Sequence, residues 1–274
     1  MNRYLKLIYD FSPTFIQNTM VSVYDLKYIK RHGGEYKKLK AYYKKAQFLP
    51  IKQLKALQFK KLKIFLKFVE NNSNYYKGTN FDKIKSIDDL SNLPIMEKEE
   101  LRNNIKNIST IERRKSYVSQ TGGTTGKSLE VFFRWDDIQD RFAMLDAYRE
   151  KFNYKFGDKT AWFSGKKILN KRDERKNKFW KYDYFYKIRY YSTFHINDKS
   201  IPYIIEDLNS FHPKIISGFP SNIFDIANSA IINNIKINFK PQVIFTTAET
   251  LLPHQKKLIE SVFKCNVYDR YGSS

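Results

Sequence analysis

The chain has 274 residues, of which 42% are hydrophobic and 16% aromatic, enough for one large domain or two smaller ones with a substantial core. No run approaches the ~18 apolar residues of a spanning helix, and Met1 to Phe11 lacks the continuous apolar stretch of a signal peptide, so a cytoplasmic protein without a transmembrane segment is expected. The single cysteine, Cys265, excludes an internal disulfide and a Cys-based zinc cluster, and the net charge of +22 comes from lysines spread over nearly every segment, which disfavours a dedicated nucleic-acid surface.

In chain order, Ile51 to Val69 reads as an amphipathic helix, with Leu54, Leu57, Leu62, Phe65 and Val69 near helical spacing, stopped by Asn71-Asn72-Ser73-Asn74. Ser86 to Leu90 starts a short helix that Pro94 ends, and Lys98 to Asn104 is helical. Two β-type runs, Lys115 to Ser119 and Leu129 to Phe133, flank a glycine-rich loop. A helix capped by Asp136 or Asp137 runs to about Phe152, with Phe142, Leu145 and Tyr148 as core candidates. Strands at Thr160 to Phe163, Lys214 to Ser217, Gln242 to Phe245 and Asn266 to Tyr268 alternate with helices at Ile201 to Phe211, Ser221 to Asn233 and Pro253 to Phe263. This rhythm predicts an α/β fold with a largely parallel sheet flanked by helices. Ligands in such sheets gather at the carboxyl ends of the strands. Gly218, Thr246 to Glu249 and Tyr271 fall there.

One segment interrupts the alternation. Lys166 to Arg189 holds ten Lys/Arg against three Asp/Glu, interleaved with Phe179, Trp180, Tyr182, Tyr184, Phe185 and Tyr186. Cations among aromatics suit single-stranded RNA. They equally suit a solvated helix whose aromatic face packs inward, and no RNA-binding motif accompanies them. The four histidines show no metal-ligand spacing, and His195 reads better as a surface or satisfied core residue than as a substrate contact.

The loop Thr121-Gly122-Gly123-Thr124-Thr125-Gly126-Lys127 carries the chemistry. Glycine lets backbone N–H groups turn toward one anion, threonine hydroxyls add donors, and lysine adds a point charge. The Walker A spacing fails by one residue, and a strand follows where that motif needs a helix. A ligand-free hairpin turn fits the same composition.

The loop resembles the phosphate-binding loop of the adenylate-forming superfamily, matching at Thr121, Gly123, Thr124, Thr125, Gly126 and Lys127 and departing at Gly122 and Ser128. Leu93 to Arg102, Ser217-Gly218-Phe219-Pro220-Ser221, Ile244 to Leu251 and Val267 to Ser274 resemble further segments of its phenylacetate–CoA ligase-like branch, in the required order, and the capsular-polysaccharide subgroup is the nearest in character. The resemblance implies a mainly helical region over residues 1–92 and a nucleotide-binding α/β region over 93–274, the latter an incomplete large N-terminal domain. It implies ATP, Mg2+ and a small carboxylic acid as ligands, with coenzyme A as a candidate acceptor. Lys127 and Thr124 are the best candidates for phosphate stabilisation, beside Thr121, Gly123, Thr125 and Gly126. Ala248, Glu249, Tyr271 and Gly272 would frame adenine, and Gly218, Phe219 and Pro220 would border the acyl pocket. Glu249 has a second reading as a helix-cap partner.

The family's metal-binding glutamate is expected just after Ser274, and the later ribose-binding aspartate and mobile C-terminal domain are likewise expected beyond it. The sequence thus suggests a shortened gene product or one completed by a second polypeptide. A catalytically inactive homologue and a basic RNA-binding protein stand as the two alternatives to ATP-dependent carboxylate activation.

Overall fold

A computed structural model describes residues 3–120 and 129–270. The helices are α1 (Arg3–Phe11), α2 (Thr14–Asp25), α3 (Tyr36–Ala46), α4 (Ile51–Asn72), α5 (Lys98–Ile108), α6 (Trp135–Glu150), α7 (Lys171–Arg175), α8 (Ile201–Phe211), α9 (Pro220–Ile232) and α10 (Pro253–Phe263). The strands are β1 (Tyr117–Gln120), β2 (Glu130–Phe133), β3 (Thr160–Ser164), β4 (Trp180–Asp183), β5 (Ile188–Ser192), β6 (Ile215–Gly218), β7 (Val243–Thr247) and β8 (Val267–Arg270). Contacts divide the chain into two compact units, one of Met1–Ile29 with Arg149–Ser273 and one of Lys30–Tyr148. This division does not follow residues 92 and 93, because α1 and α2 join the sheet while α3, α4 and α5 share a unit with the β1–β2 hairpin.

The first unit is built on a six-stranded sheet of order β4-β5-β3-β6-β7-β8, parallel throughout except for β4. The α/β expectation with a largely parallel sheet therefore holds. The runs Ile215-Ile216 and Val243-Ile244-Phe245 are apolar on consecutive residues, as strands covered on both faces require. On one face α8, α9 and α10 lay Ile204, Leu208, Ile223, Ile226, Ile259 and Phe263 against Phe163, Ile216, Ile244 and Val267. On the other, Trp162, Ile188 and Tyr190 meet Tyr9 and Val21, and Phe152 stacks on Tyr268 with ring centroids 3.7 Å apart. Proline in the first turn starts α8, α9 and α10, where its missing N–H costs nothing. Left-handed His212 and Lys264 end α8 and α10. The chain adds β5 on one side of β3 and then β6, β7 and β8 on the other, which makes the β3/β6 border the topological switch point.

The basic, aromatic segment corrects the sequence reading. Lys166 to Arg189 is not a long solvated helix but the short α7 followed by the β4–β5 hairpin. Asp183 Oδ1 tightens the turn by accepting from the N–H groups of Phe185 (2.9 Å) and Tyr186 (3.2 Å). Three of its cations are internal partners. Lys181, 0% exposed, pairs with Asp173 at 2.6 Å. Arg189 pairs with Asp207 at 2.6 Å, and Lys166 pairs with the buried Asp25 at 3.1 Å.

Strand β4 lies at the sheet edge, and α2 covers it with side chains rather than backbone. Asn18 Oδ1 accepts from Tyr182 N–H (3.1 Å), Ser22 Oγ accepts from Tyr184 N–H (2.8 Å), and Gln17 accepts from Lys181 Nζ. The two backbone bonds satisfy N–H donors that an open edge would leave unpaired, and the third adds to the pairing of the buried Lys181.

In the second unit, β1 and β2 pair antiparallel with Tyr117 opposite Phe133 and Gln120 opposite Glu130, so the expected hairpin is present. Arg113 donates to Glu130 at 3.0 and 3.1 Å and Gln120 donates at 3.0 Å, fixing the start of β2. Helix α4 packs Leu66, Leu62, Phe59 and Val69 around Phe81 and Ile84. The inward stripe is therefore one position away from Phe65, which stays 59% exposed. Tyr36 and Tyr43 of α3 donate to Asp146 (2.8 Å) and Asp140 (2.7 Å) of α6.

Candidate functional site at the carboxyl ends of the sheet

Three of the segments singled out in the sequence end on adjacent parallel strands. Gly218 closes β6 and Phe219-Pro220-Ser221 leads into α9, Thr247-Ala248-Glu249 leaves β7, and Asp269-Arg270 ends β8. Hydrogen bonds join them. The Ser221 N–H donates to Glu249 Oε2 at 3.2 Å. Thr246 Oγ donates to Asp269 Oδ1 at 2.6 Å, and Arg270 Nη2 donates to Thr247 Oγ at 3.1 Å.

Glu249 reaches the first turn of α9, where Phe219 offers no side-chain cap of its own. A carboxylate there satisfies an orphan donor and suits the positive end of the helix dipole. The helix-cap reading of Glu249 is thus present, and the exposed carboxylate keeps its other oxygen available for further contacts. Its charge also acts on Asp225, whose carboxyl lies above the usual carboxylate range. Desolvation is the main cause, followed by the negative charges of Glu249 and Asp198.

Ala248 adopts φ 70°. Left-handed backbone at an alanine costs roughly 1–3 kcal/mol, and such residues concentrate at functional sites. The strain turns the chain sharply at the end of β7, and Glu249 follows it toward α9. Gly218 has a packing role. A Cβ there would stand 2.6 Å from Phe163 Cβ and 2.9 Å from the Phe163 carbonyl oxygen, so only glycine lets β6 pass β3 this closely.

Two polar atoms at this end are buried without a hydrogen-bond partner: Ser164 Oγ at the end of β3 and Asn222 Oδ1 in the first turn of α9. Buried polar atoms left unpaired are rare and suit a polar ligand at the same end of the sheet. Ser164, Asn222 and Asp225 escaped the sequence reading, although Asn222 directly follows the Gly218-to-Ser221 segment. Among the described residues no three His, Cys, Asp or Glu side chains converge to hold a metal ion. The loop residues Thr121, Gly123, Thr124, Thr125, Gly126 and Lys127, with Tyr271 and Gly272, lie outside the described residues.

The remaining candidates are accounted for by packing. His195 bonds Ser192 Oγ through Nδ1 (2.7 Å) and Glu174 through Nε2 (3.2 Å). This resembles a hydrolytic relay, but Ser192 is 1% exposed and closed to substrate. Burial first, then Glu260, pushes the Cys265 thiol up to about 12, which makes it unreactive.

This layered α/β arrangement is the fold found in solved acid–CoA ligases. A 2-hydroxyisobutyryl-CoA ligase in the postadenylation state, in complex with 2-HIB-AMP, aligns with a TM-score of 0.59 over 82% of this chain and 50% of its own, at 16% identity. An open conformation of that ligase with 2-HIB-AMP and CoA aligns with a TM-score of 0.55 over 81% and 50%, at 14% identity. In sequence, the chain is 31% identical to Protein CapK of Staphylococcus aureus over 276 residues, covering 98% of this chain and 60% of CapK. The chain thus spans 60% of the length of CapK and about half of the ligase. No family model matches the sequence. No described helix is long and apolar enough to cross a membrane.

Proposed function

We propose that this chain acts in ATP-dependent activation of a carboxylic acid within surface-polysaccharide biosynthesis. In that reaction a carboxylate oxygen attacks the α-phosphorus of ATP, and the bond to pyrophosphate breaks to leave an acyl-adenylate. Coenzyme A or another acceptor then takes the acyl group. The observation that carries the reading is the meeting of the Gly218–Ser221, Thr246–Glu249 and Asp269–Arg270 segments on consecutive strand ends, joined through Glu249 and Thr246. Parallel sheets bind nucleotides at such ends. The CapK relationship supports the biosynthetic setting.

In this reading the strained backbone at Ala248, with Glu249, Tyr271 and Gly272, frames adenine, and the unpaired Ser164 and Asn222 oxygens offer polar contacts. Gly218, Phe219 and Pro220 border the acyl group. Thr121, Gly123, Thr124, Thr125, Gly126 and Lys127 hold the phosphates, in a loop that the β1–β2 hairpin presents between paired strand ends. Lys127 and Thr124 match charge as it develops on the leaving pyrophosphate. Mg2+ would supply the remaining neutralisation, through oxygens that the described residues do not gather into one place. The region from residue 93 onward carries the nucleotide in this proposal. RNA binding is disfavoured, because Lys166, Lys181 and Arg189 are engaged in internal ion pairs.

Calorimetry with ATP tests the assignment. Thr124→Ala with Lys127→Ala should weaken binding at least about tenfold at unchanged melting temperature, since charge-assisted bonds contribute about 1.5–3 kcal/mol each. Unchanged affinity removes the phosphate loop. Pyrophosphate exchange stimulated by one of a panel of carboxylic acids establishes turnover, and ATP binding without exchange assigns nucleotide binding alone.

A further inference from the structure

Helix α2 is amphipathic the wrong way round. Its inward face sets the polar Gln17, Asn18, Ser22 and Asp25 around a single buried Val21, and those four are buried in hydrogen bonds to β4, Lys166 and Tyr190. Its outward face carries Phe15, Val23 and Tyr24, and the preceding α1 adds Tyr4, Ile8 and Phe11. Phe11 is 78% exposed and Phe15 64%, at the corner where the two helices meet. A surface helix of a globular protein shows the opposite order.

The surroundings of this corner are basic. Arg172 reaches the Asp10 carbonyl from α7, and Ser12, Pro13 and Thr14 share a shallow cleft with Arg172 and Lys176. Lys6 stands exposed on α1, and Lys27, just past the end of α2, lies over the Tyr24 ring at 3.4 Å. The acidic groups nearby are largely engaged: Asp25 pairs with Lys166, and Asp173 with Lys181.

We infer that the outer face of α1 and α2 docks on an anionic lipid surface. Exposed aromatic and aliphatic side chains with Lys6, Lys27, Arg172 and Lys176 beside them match the interfacial mode, in which apolar groups enter the headgroup boundary and lysines and arginines meet lipid phosphates. A second copy of this chain fits the patch poorly, because each copy carries a net charge of +22 and brings the same cations to the same face. At 9 residues α1 is too short to span, so the contact inferred for this face lies in the headgroup boundary.

Co-sedimentation with vesicles tests this, using phosphatidylcholine alone and phosphatidylcholine containing phosphatidylserine. The chain should pellet with the anionic vesicles, and raised salt should release it. Phe11→Ser with Phe15→Ser removes two exposed rings and should cut vesicle affinity at least about tenfold at unchanged circular dichroism and melting temperature. A Lys6→Glu, Lys27→Glu variant, which keeps the apolar face, should also lose the anionic vesicles. Failure of the unaltered chain to pellet with anionic vesicles overturns the inference, and so does equal pelleting with both vesicle types. Concentration-dependent self-association in ultracentrifugation that Phe11→Ser and Phe15→Ser abolish would assign the face to a second copy and overturn it as well.

Discussion

Gly218→Ala isolates the close approach of β6 to β3 at the centre of the sheet. The added methyl would lie 2.6 Å from Phe163 Cβ and 2.9 Å from the Phe163 carbonyl oxygen, where carbon contacts settle near ~3.5–4.0 Å. Neither obstacle is the free end of a flexible side chain, so relief requires parting the two strands. Overpacking of this kind costs about 1–3 kcal/mol. Alanine also lowers the entropy of the unfolded chain, which returns about 0.4–1 kcal/mol, leaving a net loss of about 1–2 kcal/mol. Gly165, just past the end of β3, has no atom within 4 Å of its own hypothetical Cβ. Gly165→Ala should therefore be neutral or slightly stabilising. Urea unfolding of the two variants, compared at constant m value, reads the difference directly. Equal stabilities for the pair would refute the packing account of Gly218 and return that glycine to a role in ligand binding alone.

Asp173→Ala strands Lys181 in a site with 0% exposure and should cost about 3–5 kcal/mol in the same unfolding assay. Adding Lys181→Met should recover most of it, and failure to recover would move the cost to the Asn170–Asp173 capping box of α7. The Glu130 carboxyl is held down to about 2, chiefly by Arg113 and then by Gln120. A depressed carboxyl pKa contributes stability above the ordinary range near 4.5 and loses it as pH falls toward 2. A carboxyl-carbon NMR titration should show Glu130 ionised at pH 3 (about one unit above that value), and Arg113→Ala should return it toward the ordinary range. A Glu130 that titrates normally would remove the hairpin-closing pair.

Much of the sheet was legible because parallel strands advertise themselves. Ile215-Ile216 and Val243 to Phe245 are apolar without alternation, and Pro202, Pro220 and Pro253 mark where helices start. The β4–β5 hairpin escaped, since Trp180 to Asp183 places the ionisable Lys181 and Asp183 where a strand pattern calls for apolar residues. The partners Gln17 and Asp173 make the burial of Lys181 tolerable, and Gln17 lies far away in sequence. The covering role of α2 was hidden for the same reason: Gln17, Asn18 and Ser22 look like solvent-facing residues until β4 is beside them. Phe65 misled the reading of α4, because both it and Leu66 lie near the apolar stripe and only the partners Phe81 and Ile84 decide between them. At the site, motif order was legible and geometry was not. The helix-cap reading of Glu249 anticipated its bond to the Ser221 N–H, but nothing in the residue types foretold that Ala248 would take the left-handed turn.

The bond from Tyr182 to Asn18 joins residues 164 positions apart. During translation α2 leaves the ribosome long before its strand is made, so the helix must wait for most of the polypeptide to appear. At typical elongation rates of about 5–20 residues per second, that delay is on the order of ten to thirty seconds. For that time Tyr9 and Val21, which the sheet later buries, stay open to water, which makes the first thirty residues a natural substrate for a holding chaperone. The sheet can finish its border only once the hairpin has emerged.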